Sequence, residues 1–100
     1  MFEDYLILVG KNEKGNIKLL KHSNANDYWL HIKNYPGAHV IIKNNKLQIP
    51  DEVLKKAAKL AVAFSGKNEG EVDWTKRKFV KIKEGANVEY GKYSTIKVKI

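Results

Sequence analysis

Asp27-Tyr28-Trp29-Leu30-His31-Ile32-Lys33-Asn34-Tyr35-Pro36-Gly37-Ala38-His39-Val40-Ile41-Ile42-Lys43 is the stretch on which the reading of this chain turns. It holds one of the two tryptophans, two of the three histidines and the only Pro-Gly pair. Aromatic and β-branched residues on both sides of a Pro-Gly predict a strand, a turn and a returning strand. Side chains alternate along a strand, so Tyr28, Leu30 and Ile32 share one face while Trp29, His31 and Lys33 share the other. The first set reads as core. The second is amphipathic, aromatic and basic, and fits either a second, partly covered layer or a contact surface.

The faces of the returning strand depend on loop parity. A three-residue loop puts Val40 and Ile42 beside Leu30 and Ile32, and His39 beside His31. A two- or four-residue loop, as a type II turn centred on Pro36-Gly37 would give, inverts that arrangement. Burial of the aliphatic side chains decides for the odd loop, with a bulge absorbing the extra residue.

Working outward, Tyr5 to Val9 is a continuous apolar run and predicts a strand buried on both faces. Residues 10–16 read as a turn and Ile17 to Lys21 as a second strand. Asp51 to Ser65 predicts the one strong helix, with Pro50 and two acids at its start and Gly66 at its end. Its apolar stripe comprises Val53, Leu54, Ala57, Ala58, Leu60, Ala61, Val62 and Phe64, and its alanines allow close packing on a sheet. Residues 66–71 read as a polar loop. Short strands are expected at 72–75, 78–82, 88–90 and 95–100, the last with Ile96, Val98 and Ile100 inward. Turns are expected at 44–46, 84–87 and 91–94. The expected fold is α+β: a single domain with a mostly antiparallel β-sheet packed against one main helix, about residues 51–65.

The chain has 100 residues, room for one small core. It carries 19 Lys and Arg against 11 Asp and Glu, a formal charge of +8, which points to a polyanionic partner, nucleic acid before anionic membrane. Residues 1–50 contribute seven cations and four acids (+3), and residues 51–100 twelve and seven (+5). Lys76, Arg77, Lys78, Lys81 and Lys83 fall within eight residues. There is no cysteine, hence no disulfide and no thiol chemistry. No apolar run approaches the ~20 residues of a membrane span. The expected setting is cytoplasmic.

Catalytic and metal chemistry find little support. The serines lie in no nucleophile elbow, and no phosphate-binding glycine loop is present. Asp27 is the only acid near the two hairpin histidines, so neither a metal nor another cofactor is expected. Flat rings at Trp29, Tyr35 and Trp74 suit stacking on unpaired bases, although for each tryptophan taken singly core packing is favoured over stacking.

One feature goes beyond composition. Asp27-x-Trp29-x-His31 followed by Pro36-Gly37-x-His39-Val40 resembles the signature of the NFACT RNA-binding domain (NFACT-R), the C-terminal domain of fibronectin-binding-protein-A-like and ribosome quality-control proteins. Val9-Gly10-Lys11-Asn12 with Asn16, the alanines after Pro50, Lys78 to Lys81 and Thr95-Ile96 extend the resemblance over nearly the whole chain. It departs at Ile17, where the family usually has Asp, and in a shortened segment from Lys81 to Tyr90. The resemblance implies an RNA-binding module acting on structured RNA, tRNA or rRNA, with the ribosome as a wider partner. Lys11, Lys33, Arg77, Lys78 and Lys81 are the expected phosphate contacts. Trp29, His31 and His39 form the expected centre, and Asp27, Pro36 and Gly37 are structural. A module docking on a protein partner is the alternative, and an enzyme using the two histidines a third. The oligomeric state stays open.

Overall fold

The computed structural model of the protein describes residues 5–43, 49–85 and 87–100. A five-stranded antiparallel sheet forms its centre, in the order β1-β3-β2-β4-β7. These strands are β1 (Ile7–Val9), β2 (Tyr28–Ile32), β3 (His39–Ile42), β4 (Glu69–Lys76) and β7 (Ser94–Lys99). Helix α2 (Asp51–Phe64) covers one face. The other face is covered by helix α1 (Glu13–Lys21) and a small hairpin of β5 (Val80–Ile82) and β6 (Val88–Tyr90).

The hairpin that opens the reading is built as burial requires. His31 pairs with His39 and Leu30 with Val40. Leu30, Ile32, Val40 and Ile42 therefore face α2, and His31 and His39 share the opposite face. The connection is longer than a three-residue turn. It runs through residues 33–38, and Asn34 takes the left-handed conformation (φ 57°). Pro36 and Gly37 lie inside this loop rather than at the centre of a type II turn.

Helix α2 buries Val53, Leu54, Ala57, Ala58, Ala61 and Val62. Fully burying a valine or leucine side chain stabilises by roughly 1.5–3 kcal/mol, and the alanines let the helix axis approach the sheet. Phe64, read as part of the stripe, is instead exposed. The helix closes in a Schellman motif: Gly66 (φ 77°) donates to Ala63 O and Lys67 donates to Val62 O.

Further expectations are corrected. The predicted strand Ile17–Lys21 belongs to α1, which also takes up residues 13–16 of the predicted turn. Asn12 caps that helix by accepting the Gly15 N–H at 2.7 Å, with Glu13 in the first turn and Lys18 and Lys21 in the last. Strand β1 is an edge strand, partly exposed, rather than a strand buried on both faces. Residues 69–71, read as loop, extend β4, because Gly70 and Glu71 complete pairing with Val98 and Lys97. At the end of the last strand Val98 is buried, but Ile100 is exposed. The predicted turn at 44–46 lies outside the described residues. No helix among them is long and apolar enough to cross a membrane.

Candidate nucleic-acid interface

The second face of the sheet carries a polar row across four strands: His39 on β3, His31 on β2, Asp73 on β4 and Thr95 on β7. Trp29 lies one step along β2, fully buried with Leu20, Ile41 and Val80. Its indole is parallel to the His31 ring at 5.8 Å, and the Tyr90 ring packs on it at 4.7 Å. Its Nε1–H donates to His39 Nδ1 at 3.0 Å. Trp29 thus presents no ring face to a base, and its part is packing and one directed hydrogen bond.

That bond fixes His39 as a neutral acceptor. His39 is buried, and desolvation, with the nearby His31 adding to it, holds its pKa down at about 3. Burial also lowers His31, partly offset by backbone hydrogen bonds at Ile32 and Gly37 and by the Asp73 carboxylate. Both rings are uncharged near neutral pH, so neither supplies a cation for phosphate. His31 is the more open of the two.

Asp73 is buried and satisfied three ways. It accepts from Tyr90 Oη (2.6 Å) and Thr95 Oγ1 (2.8 Å) and pairs with Lys33 Nζ (3.1 Å). The Tyr90 hydroxyl is pushed above its ordinary pKa by burial first and then by this carboxylate. Lys33, named as a phosphate contact, is therefore ion-paired, and its ammonium also lies 4.9 Å from the Tyr93 ring centre. The hydrogen bond to Asp73 raises its pKa.

Arg77 is likewise committed inside the fold. Its Nε donates to Ser23 Oγ (2.9 Å) and its Nη1 to Val80 O (2.7 Å), with longer contacts to Leu20 O. The guanidinium joins the end of α1 to β5 instead of facing outward. Asp27 closes the turn before β2, accepting the Asn24 N–H (2.7 Å) and Lys43 Nζ (2.6 Å).

His31 and His39 form the floor of an open groove of about 620 Å³. Its walls are the start of α1, the 33–38 loop, the end of α2 and β6. Asn16, buried on α1, holds the wall together: its Oδ1 accepts the His39 N–H at 3.1 Å. Ser65, the C-cap of α2, does the same, donating to Ala61 O and accepting the Ala38 N–H. Gly37 is required by space, since a Cβ there would overlap the Ser65 hydroxyl. Pro36 sits on the rim.

Two exposed rings, Tyr35 and Phe64, also line the groove. Each has an ammonium near it, Lys67 at 4.3 Å from Tyr35 and Lys11 at 5.5 Å from Phe64. Lys78 and Lys81 are exposed but lie elsewhere, Lys78 beside Phe79 and Lys81 on β5 opposite Glu89. The structure thus brings Lys11 to the histidine groove and leaves Lys78 and Lys81 away from it. Sequence reasoning missed Phe64 and Lys67. The signal for them was their position at the end of α2, next to the glycine that stops it. Among the described residues no group of three His, Cys, Asp or Glu is placed to hold a metal.

The family model described as the NFACT protein RNA binding domain matches residues 1–95. The Rqc2 homolog RqcH of Bacillus subtilis is 38% identical over 94 residues, covering 89% of this chain and 16% of that protein. The Rqc2 homolog RqcH of Streptococcus suis is 46% identical over 61 residues, 60% of this chain and 11% of that protein. The chain thus spans about a sixth or less of the curated relatives it matches. A solved structure, the C-terminal part of the fibronectin/fibrinogen-binding protein from Streptococcus suis, superposes with a TM-score of 0.86 at 34% identity, covering 96% of this chain and 42% of that one.

Proposed function

The chain belongs to the NFACT RNA-binding domain family, and from that premise we propose that it binds structured RNA of the translation machinery, tRNA or rRNA, as a module of ribosome quality control. The histidine groove is its contact surface. One observation carries this reading: the family-type residues His31, Pro36, Gly37 and His39 line a groove whose rim pairs exposed rings with ammonium groups. Rings of this kind stack on unpaired bases, and lysines beside them neutralise phosphates. The module reads as a binder rather than an enzyme, since both groove histidines are neutral and engaged in internal contacts. Such a role belongs in the cytoplasm.

The test is titration of a fluorescent tRNA with wild type and with Lys11→Ala/Lys67→Ala. Loss of two phosphate contacts should weaken binding about tenfold, or about 1.4 kcal/mol. Unchanged affinity in the double variant would remove the groove from the interface. Failure of wild type to bind any RNA would remove the reading itself.

A further inference from the structure

Outside the histidine groove, a separate depression of about 310 Å³ lies where β4 meets the 3-10 turn Arg77–Phe79. Phe79 and Tyr93 are exposed there, 39% and 48%. The ammoniums of Lys78 and Lys92 each lie 5.3 Å from the centre of the one Phe79 ring. Lys76 lines the same depression. No acidic residue lines it, and none of these three lysines has an ion-pair partner among the described residues.

Two like charges gathered on a single ring repel each other, and the ring face offsets only part of that repulsion. An anion between them offsets the rest. The Phe79 ring is flat, apolar and exposed, which suits a base more than an inorganic anion. A ligand that carries both a planar base and a phosphate satisfies every group present.

We infer that this depression is a second RNA contact, in which one unpaired nucleotide stacks on Phe79 while Lys78 and Lys92 hold its phosphate. The inference rests on the RNA-binding reading and extends it. Tyr93 lies edge-on to Tyr90 at 5.1 Å, and Tyr90 lines the histidine groove. The two surfaces therefore adjoin through this tyrosine pair, and one RNA strand leaving a folded stem reaches both. The duplex part of the ligand needs only phosphate contacts, whereas the Phe79 platform requires a base free of the stack.

The experiment compares two RNA hairpins of identical stem, one blunt and one with a three-nucleotide 3′ overhang, by fluorescence anisotropy. Wild type should bind the overhang form about tenfold more tightly, as base–aromatic stacking predicts. Phe79→Ala should abolish that preference and leave blunt-hairpin binding unchanged, and Phe79→Trp should restore it. Lys78→Ala/Lys92→Ala should weaken overhang binding while Phe79 remains. Circular dichroism confirms folding. Should Phe79→Ala unfold, Phe79→Leu keeps apolar bulk without a π face and is read instead. A Phe79→Ala protein that keeps the full preference, with Lys11→Ala/Lys67→Ala still weakened, overturns the platform and leaves the groove standing. Wild type that binds neither hairpin overturns both.

Discussion

His39 is a polar residue in an almost solvent-free place, and its environment dictates its charge. Trp29 donates to Nδ1, so the ring is held as an acceptor and resists protonation until about pH 3. A histidine in the unfolded chain takes up its proton near pH 6.5. As pH falls below that value the unfolded chain binds protons first, and stability falls with it. The contribution is fully present above about pH 6.5 and is lost progressively toward pH 3, at up to about 1.4 kcal/mol per pH unit. His31 adds in the same direction. In His39→Asn an amide oxygen lies close to the former Nδ1 and cannot be protonated in this range. Urea midpoints at pH 7, 6 and 5 should show a shallower decline for His39→Asn than for wild type, and equal slopes would refute the assignment. The sequence supported the pairing of the two histidines on one face, because aliphatic burial settles loop parity. It did not distinguish a contact surface from a covered layer for Trp29. That distinction depends on α1 and β5, which approach from distant parts of the chain.

Arg77 shows at the scale of elements why a charge run misleads. Lys76, Arg77, Lys78, Lys81 and Lys83 form one basic run, and Arg77, Lys78 and Lys81 are read from it as phosphate contacts. The fold divides them, placing the guanidinium on the Leu20 carbonyl in the last turn of α1 and on the Val80 carbonyl. Cations there also suit the helix dipole. Arg77→Lys keeps the charge but cannot reach Ser23, Leu20 and Val80 with separate directed donors. It should destabilise by about 1.5–3 kcal/mol, lowering the melting temperature by roughly 6–24 °C for a domain of this size. An unchanged melting temperature would show that these bonds contribute nothing. Any test of RNA contacts in this run should therefore leave Arg77 intact. The same logic explains what was legible. Helix α2 announces itself through spacing, Pro50 and Gly66. Helix α1 contains Gly15 and the buried Asn16, which lower helix propensity, so only the Asn12 cap and Glu13 mark it. Strand β4 hid its first residues because Gly70 has little strand propensity, yet its bare Cα lies against Ile32.

At the scale of the whole molecule, the charge of +8 is unevenly engaged. Lys33 and Lys43 are held by buried carboxylates and Lys83 by Glu89. Lys11 and Lys67 flank one surface, and Lys76, Lys78 and Lys92 surround the other. Lys55, Lys56 and Lys59 stand exposed on α2, which covers the opposite face of the sheet from α1 and β5. If RNA lies along the two surfaces, about five phosphates are neutralised, and log K should fall against log salt with a slope of about −3.5 to −4.5. Between 50 and 200 mM salt the affinity should then drop roughly 100- to 500-fold. Lys55→Gln/Lys56→Gln/Lys59→Gln removes three charges without touching either surface, so it should leave that slope nearly unchanged. Lys78→Gln/Lys92→Gln removes only two and should flatten it by about 1.5. The larger charge change thus gives the smaller effect, which bulk attraction between a basic protein and RNA cannot produce. Slopes that instead track net charge alone would dissolve both surfaces into a general basicity. A slope near zero with binding retained would favour docking on a protein over docking on phosphates.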